Sequence, residues 1–346
     1  MPSLKEIKGR INSISSTLAI TSAMKMVASA KLQKAQMAIQ NMLPYERRLY
    51  SMLLDLMGAM NISAAASEDG SVRGSGSAER GFDQSGDRLS LSNRHDLAGM
   101  DGAYSLMAQR EVRKVAIVAF ASNSSLCGAF NSNVIREATA VINEYRASGL
   151  GDADITVYSV GRKMAEAMKK LGFPSPADFT KMSDSPSYDA ASALAQELFD
   201  GFVSGRFDKV ELVYNHYKST SSQPTTRQTY LPLSLADATA DIQVGKITDS
   251  ASESDTNRGA EPVGAPVVRQ GSPTTEDLIV EPSKEELIAT LLPKVVRLRV
   301  FTTLLDSTAA EQAARTVAMQ LATDNGNDLL QELTLEYNKG RQQKIT

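Results

Sequence analysis

Few residues of this 346-residue chain have the types and spacing that chemistry requires. Ser22 and Lys25 form an S-x-x-K pair, in which lysine can activate a serine nucleophile, but the companion motifs of penicillin-type acylases are absent. We interpret this pair as coincidental. The two histidines, His95 and His216, and the single Cys127 are too few for a zinc site with four nitrogen or sulfur ligands. Cys127 is better explained as a small buried residue than as a reactive thiol.

The loop from Ser122 to Gly128 is a second candidate for chemistry. It follows Val112 to Ala121, an uninterrupted apolar run typical of a buried strand. Such a loop can hold an anion at the start of the next helix. The sequence has no G-x-G-x-x-G fingerprint and no Walker lysine motif, so a nucleotide- or phosphate-binding α/β protein is only an alternative. No cofactor is expected.

The N-terminal segment carries the apolar seam of a coiled coil. Its positions alternate by three and four residues, and only Thr21, Lys25 and Glu46 are polar. A helix from Ser3 to Met57 would be roughly 80 Å long, with Pro44 bending it. The seam consists of Leu4, Ile7, Ile11, Ile14, Leu18, Thr21, Lys25, Ala28, Leu32, Ala35, Ile39, Met42, Glu46, Leu49, Leu53 and Leu56.

A second long helix is predicted after Pro282, where Ser283 and Glu286 form a capping box like that of Ser3 and Glu6. Its apolar stripe begins at Leu287 and continues through Val317, Leu321, Leu329 and Leu333. Pro293 should kink it, and Gly326 is a softer interruption. An antiparallel pair covers both seams most simply. A helical hairpin without a mechanical role is the alternative.

Strands and helices alternate in the middle of the chain, which predicts a largely parallel sheet. The fold class is therefore α/β: a long antiparallel coiled coil of the terminal helices with an inserted Rossmann-like α/β domain. Residues 63–100 and 245–275 lack apolar content and are predicted to be mobile insertions. The predicted segments are a shaft helix at 1–58, a mobile insertion at 59–111, an α/β foot domain at 112–243, a mobile linker at 244–280 and a second shaft helix at 281–346.

Charge is distributed unevenly. The net charge of the chain is −3, yet the first 40 residues carry one acid, Glu6, against six bases. This asymmetry indicates an acidic partner surface, although a merely solvated helix face is the simpler alternative. A nucleic-acid adaptor is a further alternative, which the lack of interleaved aromatic residues disfavours. The bases are Lys5, Lys8, Arg10, Lys25, Lys31 and Lys34.

Several motifs together resemble one family. Ser3 to Gln36 (SLKEIKGRINSISSTLAITSAMKMVASAKLQKAQ) is similar to the opening helix of the γ subunit of F-type ATP synthases. The closing helix of that family resembles EPSKEELIATLLP, EQAARTVAMQLATDNGNDLL and LTLEYNKGRQQKIT. Between them, LCGAFNSN and SSQPTTRQTYLPL are similar to segments of its central domain.

The resemblance implies a non-catalytic rotor shaft. The paired helices would stand inside a ring of α and β subunits, with the α/β domain against the ε subunit and the membrane ring of c subunits. Proton flow through the membrane ring would then drive ATP synthesis in the α/β ring by rotation, and ATP hydrolysis would drive the rotation backwards. The resemblance implies no contact with nucleic acid and no direct membrane insertion. The chain would be peripheral, on the cytoplasmic face of the membrane.

The resemblance also implies contacts with the α/β ring. Met24 falls where the shaft of this family meets an acidic loop of the β subunit, and Lys25 is its neighbour. Arg315, Arg341 and Gln342 fall where the shaft hydrogen-bonds the ring. Ser22 stands where the family commonly has lysine. The closing helix of the family also continues for several turns past Thr346, so the resemblance implies a truncated or a shortened upper end.

Overall fold

The computed structural model describes residues 3–59, 106, 110–233 and 283–345. The chain divides into two compact units. The first comprises Met1–Tyr45, Val112–Tyr230 and Arg297–Thr346, and the second Glu46–Glu111 and Leu231–Val296. The predicted mobile insertions at 63–100 and 245–275 lie outside the described residues. The five consecutive segments stay a prediction, and the observed division cuts through both long helices.

Two long helices are formed by the terminal segments. Helix α1 spans Leu4–Ala59 and continues through Pro44, and helix α6 spans Lys284–Ile345 and continues through Pro293. Ser3 Oγ accepts a hydrogen bond from the backbone N of Glu6, and Ser283 Oγ accepts one from Glu286. The serine half of both predicted capping boxes is therefore present. The Glu6 carboxylate pairs with Arg10 at 3.1 Å.

The seam of α1 is confirmed by exposure. Between Leu4 and Lys34, every seam position is buried or half-buried and every other position is exposed. Leu18 lies against Gly326, Thr21 against Thr323, and Ala35 packs in one cluster with Ala309. As the residue number rises on α1, that of its partner on α6 falls. The helices are therefore antiparallel, as predicted.

The seam of α6 differs from the predicted stripe in its last third. Leu321 and Leu329 are 57% and 45% exposed, so the prediction was wrong for both. Thr323, Gly326, Leu330, Leu333, Tyr337 and Gly340 are the shielded residues between 321 and 343. They keep the alternation of four and three. The predicted stripe shares only Leu333 with this seam. Apolar periodicity could not reveal the rest, because half of the seam positions are threonine or glycine.

A four-stranded sheet forms the centre of the first unit, in the order β2-β1-β3-β4. Strand β1 is parallel to both β2 and β3. Strand β4 follows β3 after the loop 216–224 and runs antiparallel to it. Thr225 Oγ1 donates to Asn215 Oδ1, and His216 N donates to Pro224 O, across this turn. The sheet is thus mixed rather than wholly parallel. The strands are β1 Val115–Phe120, β2 Ile155–Val160, β3 Lys209–Asn215 and β4 Thr225–Leu231.

Four helices connect these strands: α2 Phe130–Ala147, α3 Arg162–Lys170, α4 Thr180–Asp184 and α5 Tyr188–Val203. A 3-10 turn at Asp152–Asp154 precedes β2. The apolar faces of α2 and α3 pack with β1 and β2 in one core cluster. Every residue of β1 is buried, as expected for a central parallel strand. The short α4 was not predicted from the sequence. We call the first unit's Val112–Tyr230 the α/β domain.

The second unit contains the end of α1 and the start of α6. Leu49, Leu53 and Leu56 are buried on α1, and Ile288, Leu292 and Val295 are buried on α6. Each set recurs every three or four residues, which is the pattern of a helix with one apolar face. Leu106 is also fully buried, and its carbonyl accepts a hydrogen bond from the backbone N of Leu233.

Candidate functional site

The carboxyl ends of β1 and β3 are where a sheet of this topology usually binds a ligand. In this chain α6 lies against that edge: Ala310 packs on Cys127 and Phe130, which belong to the loop after β1 and the start of α2. At the end of β3, Asn215 donates from Nδ2 to Phe130 O at 3.1 Å. A cavity of about 160 Å³ remains beside Cys127 and Ala318. It is smaller than the roughly 300 Å³ of the smallest usual ligand pockets.

In the Ser122 to Gly128 loop, the candidate anion site, polar groups are engaged by hydrogen bonds with Asn131 at the start of α2. Asn131 accepts from the backbone N of Ser122 at 3.0 Å and donates from Nδ2 to Ser124 O at 3.2 Å. Cys127 is 1% exposed, as predicted. Gly161 follows β2 and lies against the backbone at the start of this loop. Only glycine fits there, because a Cβ would lie 2.0 Å from Ala121 O. The geometry therefore gives no support to the nucleotide- or phosphate-binding alternative.

Arg315 fastens this loop to α6. Its guanidinium donates from Nη1 to Ser125 O at 2.7 Å and from Nη2 to Ser124 Oγ at 2.9 Å. It also pairs with Glu311 one turn earlier. Only 14% of the Arg315 side chain is exposed. Burial raises the pKa of the Glu311 carboxyl above its ordinary value, and Arg315 partly opposes that rise.

Asp306 makes a second connection to α6. Its Oδ1 accepts a hydrogen bond from the backbone N of Tyr217 at 2.9 Å, and its Oδ2 lies 2.6 Å from His216 Nδ1. Both residues belong to the loop between β3 and β4. Sequence reasoning did not select Asp306 or Tyr217, because the loop and α6 are far apart along the chain. The one signal was the position of His216 directly after a strand.

A band of exposed apolar side chains surrounds Met24. Ile20, Met24 and Val27 share one face of α1 and are 59%, 39% and 57% exposed. Met24 is therefore not a core residue of this helix pair. These side chains lie beside the seam and outside it.

The other predicted contact residues lie apart. Lys25 is half-buried in the seam, next to Met24. Arg341 and Gln342 are exposed near the end of α6, close to Gly340, which lies against Leu4 at the opposite end of this helix pair. Arg315 lies on α6 below the level of Met24. The structure thus places the five predicted residues at three levels of the first unit: Met24 with Lys25, Arg315 nearer the α/β domain, and Arg341 with Gln342 at the far end.

One buried charge cluster escaped the sequence interpretation. Glu211 on β3 is 1% exposed and bonds Lys209, Arg227 and Tyr145 at 2.6 to 2.7 Å. Burial raises the pKa of the Glu211 carboxyl, but its bonds to Arg227, Lys209 and Tyr145 outweigh burial and leave that pKa below its ordinary value. The cluster joins β3, β4 and α2, which is a structural role.

Neither a metal site nor a membrane span is found in the described part of the chain. No group of three or more histidine, cysteine, aspartate or glutamate side chains there is arranged to hold a metal ion. None of the helices in residues 3–59, 110–233 and 283–345 combines the length and the hydropathy that crossing a bilayer requires.

Comparison with known proteins identifies the family. A family model described as ATP synthase matches residues 3–346. An ATP synthase gamma chain of Phocaeicola vulgatus is 46% identical over 346 residues, covering 100% of this chain and 96% of the relative. This chain belongs to the ATP synthase gamma chain family. The gamma chain of Bacteroides thetaiotaomicron is 44% identical with the same coverage, and that of Flavobacterium psychrophilum is 34% identical, covering 95% of the relative.

Solved structures support the fold. The rotor of the Euglena gracilis mitochondrial ATP synthase aligns with a TM-score of 0.51 and 18% identity, covering 99% of both chains. A second structure of that enzyme, with its F1 part and c-ring, aligns with a TM-score of 0.50. The resemblance drawn from the terminal motifs is confirmed. The chain is accordingly a subunit of an ATP synthase, and the role of central rotor shaft follows from its family.

Proposed function

We propose that this chain transmits rotation between a membrane ring and a catalytic ring, and that it carries out no bond chemistry itself. The proposed partners are the α and β subunits around the helix pair, and the ε subunit and the c-subunit ring at the α/β domain. The gamma chain relatives and the Euglena structures support this assembly by similarity. The proposed location is peripheral, on the cytoplasmic face of the membrane.

One observation carries the proposal: the apolar band of Ile20, Met24 and Val27 is exposed although the seam beside it is already occupied. A helix pair needs its seam for stability and gains nothing from apolar side chains that face water. A cluster of exposed apolar residues is typical of a surface that contacts another protein. We therefore assign this band to contact with the inner surface of the α/β ring.

Charge supports the same assignment. Exposed bases flank the band on α1, among them Lys31 and Lys34, in a segment with one acid. An acidic loop of the ring would be attracted to this segment, and the attraction would be screened by salt. Met24 and Lys25 are proposed contacts at this level, and Arg341 and Gln342 near the end of α6. Arg315 is proposed to support the contact surface from within, because its guanidinium is largely engaged by Glu311, Ser124 and Ser125.

The first experiment mixes cognate α and β subunits with and without this chain and measures complex size and ATP hydrolysis. We expect one copy to enter a large assembly and to start sustained hydrolysis, while the chain alone hydrolyses no ATP. A chain that elutes alone and leaves hydrolysis unchanged contradicts the proposal.

Met24→Glu tests the apolar band. It places a negative charge where an acidic, partly apolar partner surface is expected, so we expect hydrolysis by the assembly to fall about tenfold, equivalent to roughly 1.4 kcal/mol. Ser29→Glu adds the same charge at an exposed position of α1 that is not three or four residues from any member of the band, and it is the matched control. Equal losses in both variants would assign the effect to charge alone and remove the band from the contact.

A further inference from the structure

Tyr217 is a loop residue that contacts both long helices. It lies in the loop between β3 and β4, and its ring packs against the cluster of Leu32, Ala35, Ala309 and Ala313. Two of these residues belong to α1 and two to α6. The same ring also packs against the second cluster, formed by Cys127, Phe130 and Ala310. One aromatic side chain of the α/β domain thus reaches the line where the two helices meet.

Polar bonds fix this side chain at both ends. Gln36 of α1 donates from Nε2 to the Tyr217 hydroxyl at 2.6 Å. Asp306 of α6 accepts from the Tyr217 backbone N at 2.9 Å. The hydroxyl is therefore held by one helix and the backbone by the other, with the ring between them. Hydrogen bonds are directional and apolar contacts are not, so this pair of bonds fixes orientation where the apolar cluster alone would permit adjustment.

The loop that carries Tyr217 is held in one conformation by hydrogen bonds within it. His216 N donates to Pro224 O at 2.8 Å, and Gln223 Nε2 donates to Ser219 O and Thr220 O. The loop therefore holds its shape through its own bonds as well as through α6. Because the loop is held by its own hydrogen bonds, Tyr217 has a fixed position against which the two helices pack.

The helix pair has a particular need for such a residue at this level. The residues facing each other around Ala35 and Ala309 are small, which permits a close approach but gives little interlocking of side chains. Two helices packed on small residues can turn or slide past each other with little steric resistance. Torque applied to one helix would then be lost partly as relative motion of the two.

We infer that Tyr217 is a positioning residue that locks α1, α6 and the α/β domain together, so that the three turn as one body. This inference rests on the proposed function, because it concerns the transmission of torque. It assigns the coupling to one side chain and to its two polar partners, Gln36 and Asp306, in addition to the continuity of the helices themselves.

The experiment uses the whole ATP synthase reconstituted in vesicles, with ATP hydrolysis and ATP-driven ion pumping measured in the same sample. In Tyr217→Ala we expect the ratio of pumping to hydrolysis to fall about fivefold, the size of a modest coupling between sites, while hydrolysis changes less than about twofold. A ratio equal to that of the unaltered enzyme overturns the inference. Absence of pumping and hydrolysis in the unaltered enzyme would instead count against the proposed function.

Tyr188→Ala is the matched control. Tyr188 also belongs to the α/β domain and packs edge-on against Phe301 of α6, with ring centroids 5.7 Å apart, but the contacts described for it do not include α1. We expect an unchanged ratio. A loss equal to that of Tyr217→Ala would show that coupling depends on aromatic contacts with α6 in general. That result would overturn the role assigned to Tyr217.

A pair of conservative variants separates positioning from folding. Tyr217→Phe and Gln36→Leu each remove the same hydrogen bond, one from the α/β domain and one from α1, and keep most of the apolar packing. Each should lower the ratio about twofold, and the double variant should be no worse than either single one, since both remove one interaction. Additive losses, with unchanged unfolding temperatures, would show that the bond is not the coupling element.

Discussion

Two sections of the same helix pair differ in how completely their seam is buried. In the clamped section, Ala28 to Ala35 of α1 with Ala309 to Thr316 of α6, the seam residues of α1 are at most 8% exposed and no residue of α6 is exposed. In the open section, Leu4 to Lys25 with Thr323 to Gly340, the seam residues are only half-buried except Ile7 and Leu333. The heptad spacing is the same in both. The difference shows that two helices define a seam, whereas a third element is needed to bury it.

The third element is the α/β domain, which covers the clamped section through Tyr217, Phe130 and the loop after β1. The clamped section therefore resembles a protein core and the open section resembles an isolated coiled coil. We expect the first to be sensitive to side-chain volume and the second to tolerate change in the isolated chain. Unfolding can be followed by circular dichroism, since the chain has no tryptophan.

The largest difference is expected from the same deletion made in both sections. Leu32→Ala empties a site that is 7% exposed and should lower the free energy of unfolding by about 3 kcal/mol. Leu18→Ala acts on a half-buried seam residue of the open section and should lower it by only about 1 kcal/mol. Urea unfolding of both variants measures the two values. Equal losses would show that the α/β domain adds nothing to burial in the clamped section.

Overpacking should give the next largest effect. Ala313 is fully buried between the helices and the α/β domain, and Ala313→Leu should destabilise the chain by about 2 kcal/mol because the surrounding side chains have no room for the larger group. Ala23→Leu at an exposed position of α1 should change stability by less than about 0.5 kcal/mol. Thermal unfolding in parallel compares the two. A tolerated Ala313→Leu would indicate loose packing in the clamped section.

The buried Glu311 should make the clamped section sensitive to pH. Its folded pKa lies above the ordinary 4.5, so the folded chain binds a proton there more readily than the unfolded chain does. The contribution of Glu311 to stability is therefore fully present below about pH 4.5 and is lost as the pH rises through the raised pKa. The slope of this loss cannot exceed about 1.4 kcal/mol per pH unit.

Glu311→Gln removes this titration and is the variant that measures it. The difference in unfolding free energy between the unaltered chain and the variant should change between pH 4 and pH 7, in the direction that disfavours the unaltered chain at the higher pH. A difference that is constant across this range would mean that Glu311 titrates alike in the folded and unfolded chain.

The smallest effect concerns two glycines of the open section. Gly340→Ala should stabilise α6 by up to about 1 kcal/mol, because alanine favours a helix and its Cβ, at a tight 3.2 Å from Leu4 Cδ2, requires that side-chain end near the helix start to shift only slightly. Gly326→Ala should gain nothing, because its Cβ would lie 2.6 Å from Leu18 Cδ2 and force that side chain to move. The comparison of unfolding temperatures tests how closely the helices approach. Equal gains would show that Leu18 can move aside at no cost.

Secondary structure was largely predictable because apolar periodicity is local. The buried strand predicted at Val112 to Ala121 appears as β1, Val115–Phe120, and the predicted alternation of strands and helices follows it. The prediction failed where the pattern was not apolar. Thr323, Gly326 and Gly340 occupy the seam of α6, whereas the exposed Leu321 and Leu329 look like seam residues in the sequence. Short α4 has too few residues to show a period.

The candidate site was predictable only where a family motif marked it. Met24, Lys25, Arg315, Arg341 and Gln342 came from motif positions, and their contacts with a ring stay a prediction. The engagement of Arg315 with Ser124 and Ser125 had no signal in the sequence, since its partners are about 190 residues away along the chain. The same applies to Tyr217, whose partners Gln36 and Asp306 lie on different helices.

The sequence by itself determined the two long helices, their antiparallel pairing, the α/β class of the middle and the family. These features depend on spacing along the chain, on capping residues and on motifs that are read without knowing any distance in space. Only the tertiary structure decided that α6 fills the edge of the sheet where a ligand would bind, and that Tyr217 stands between both helices. Such contacts join residues far apart in sequence, and the free energy that selects them comes from burying surfaces that no local pattern pairs in advance.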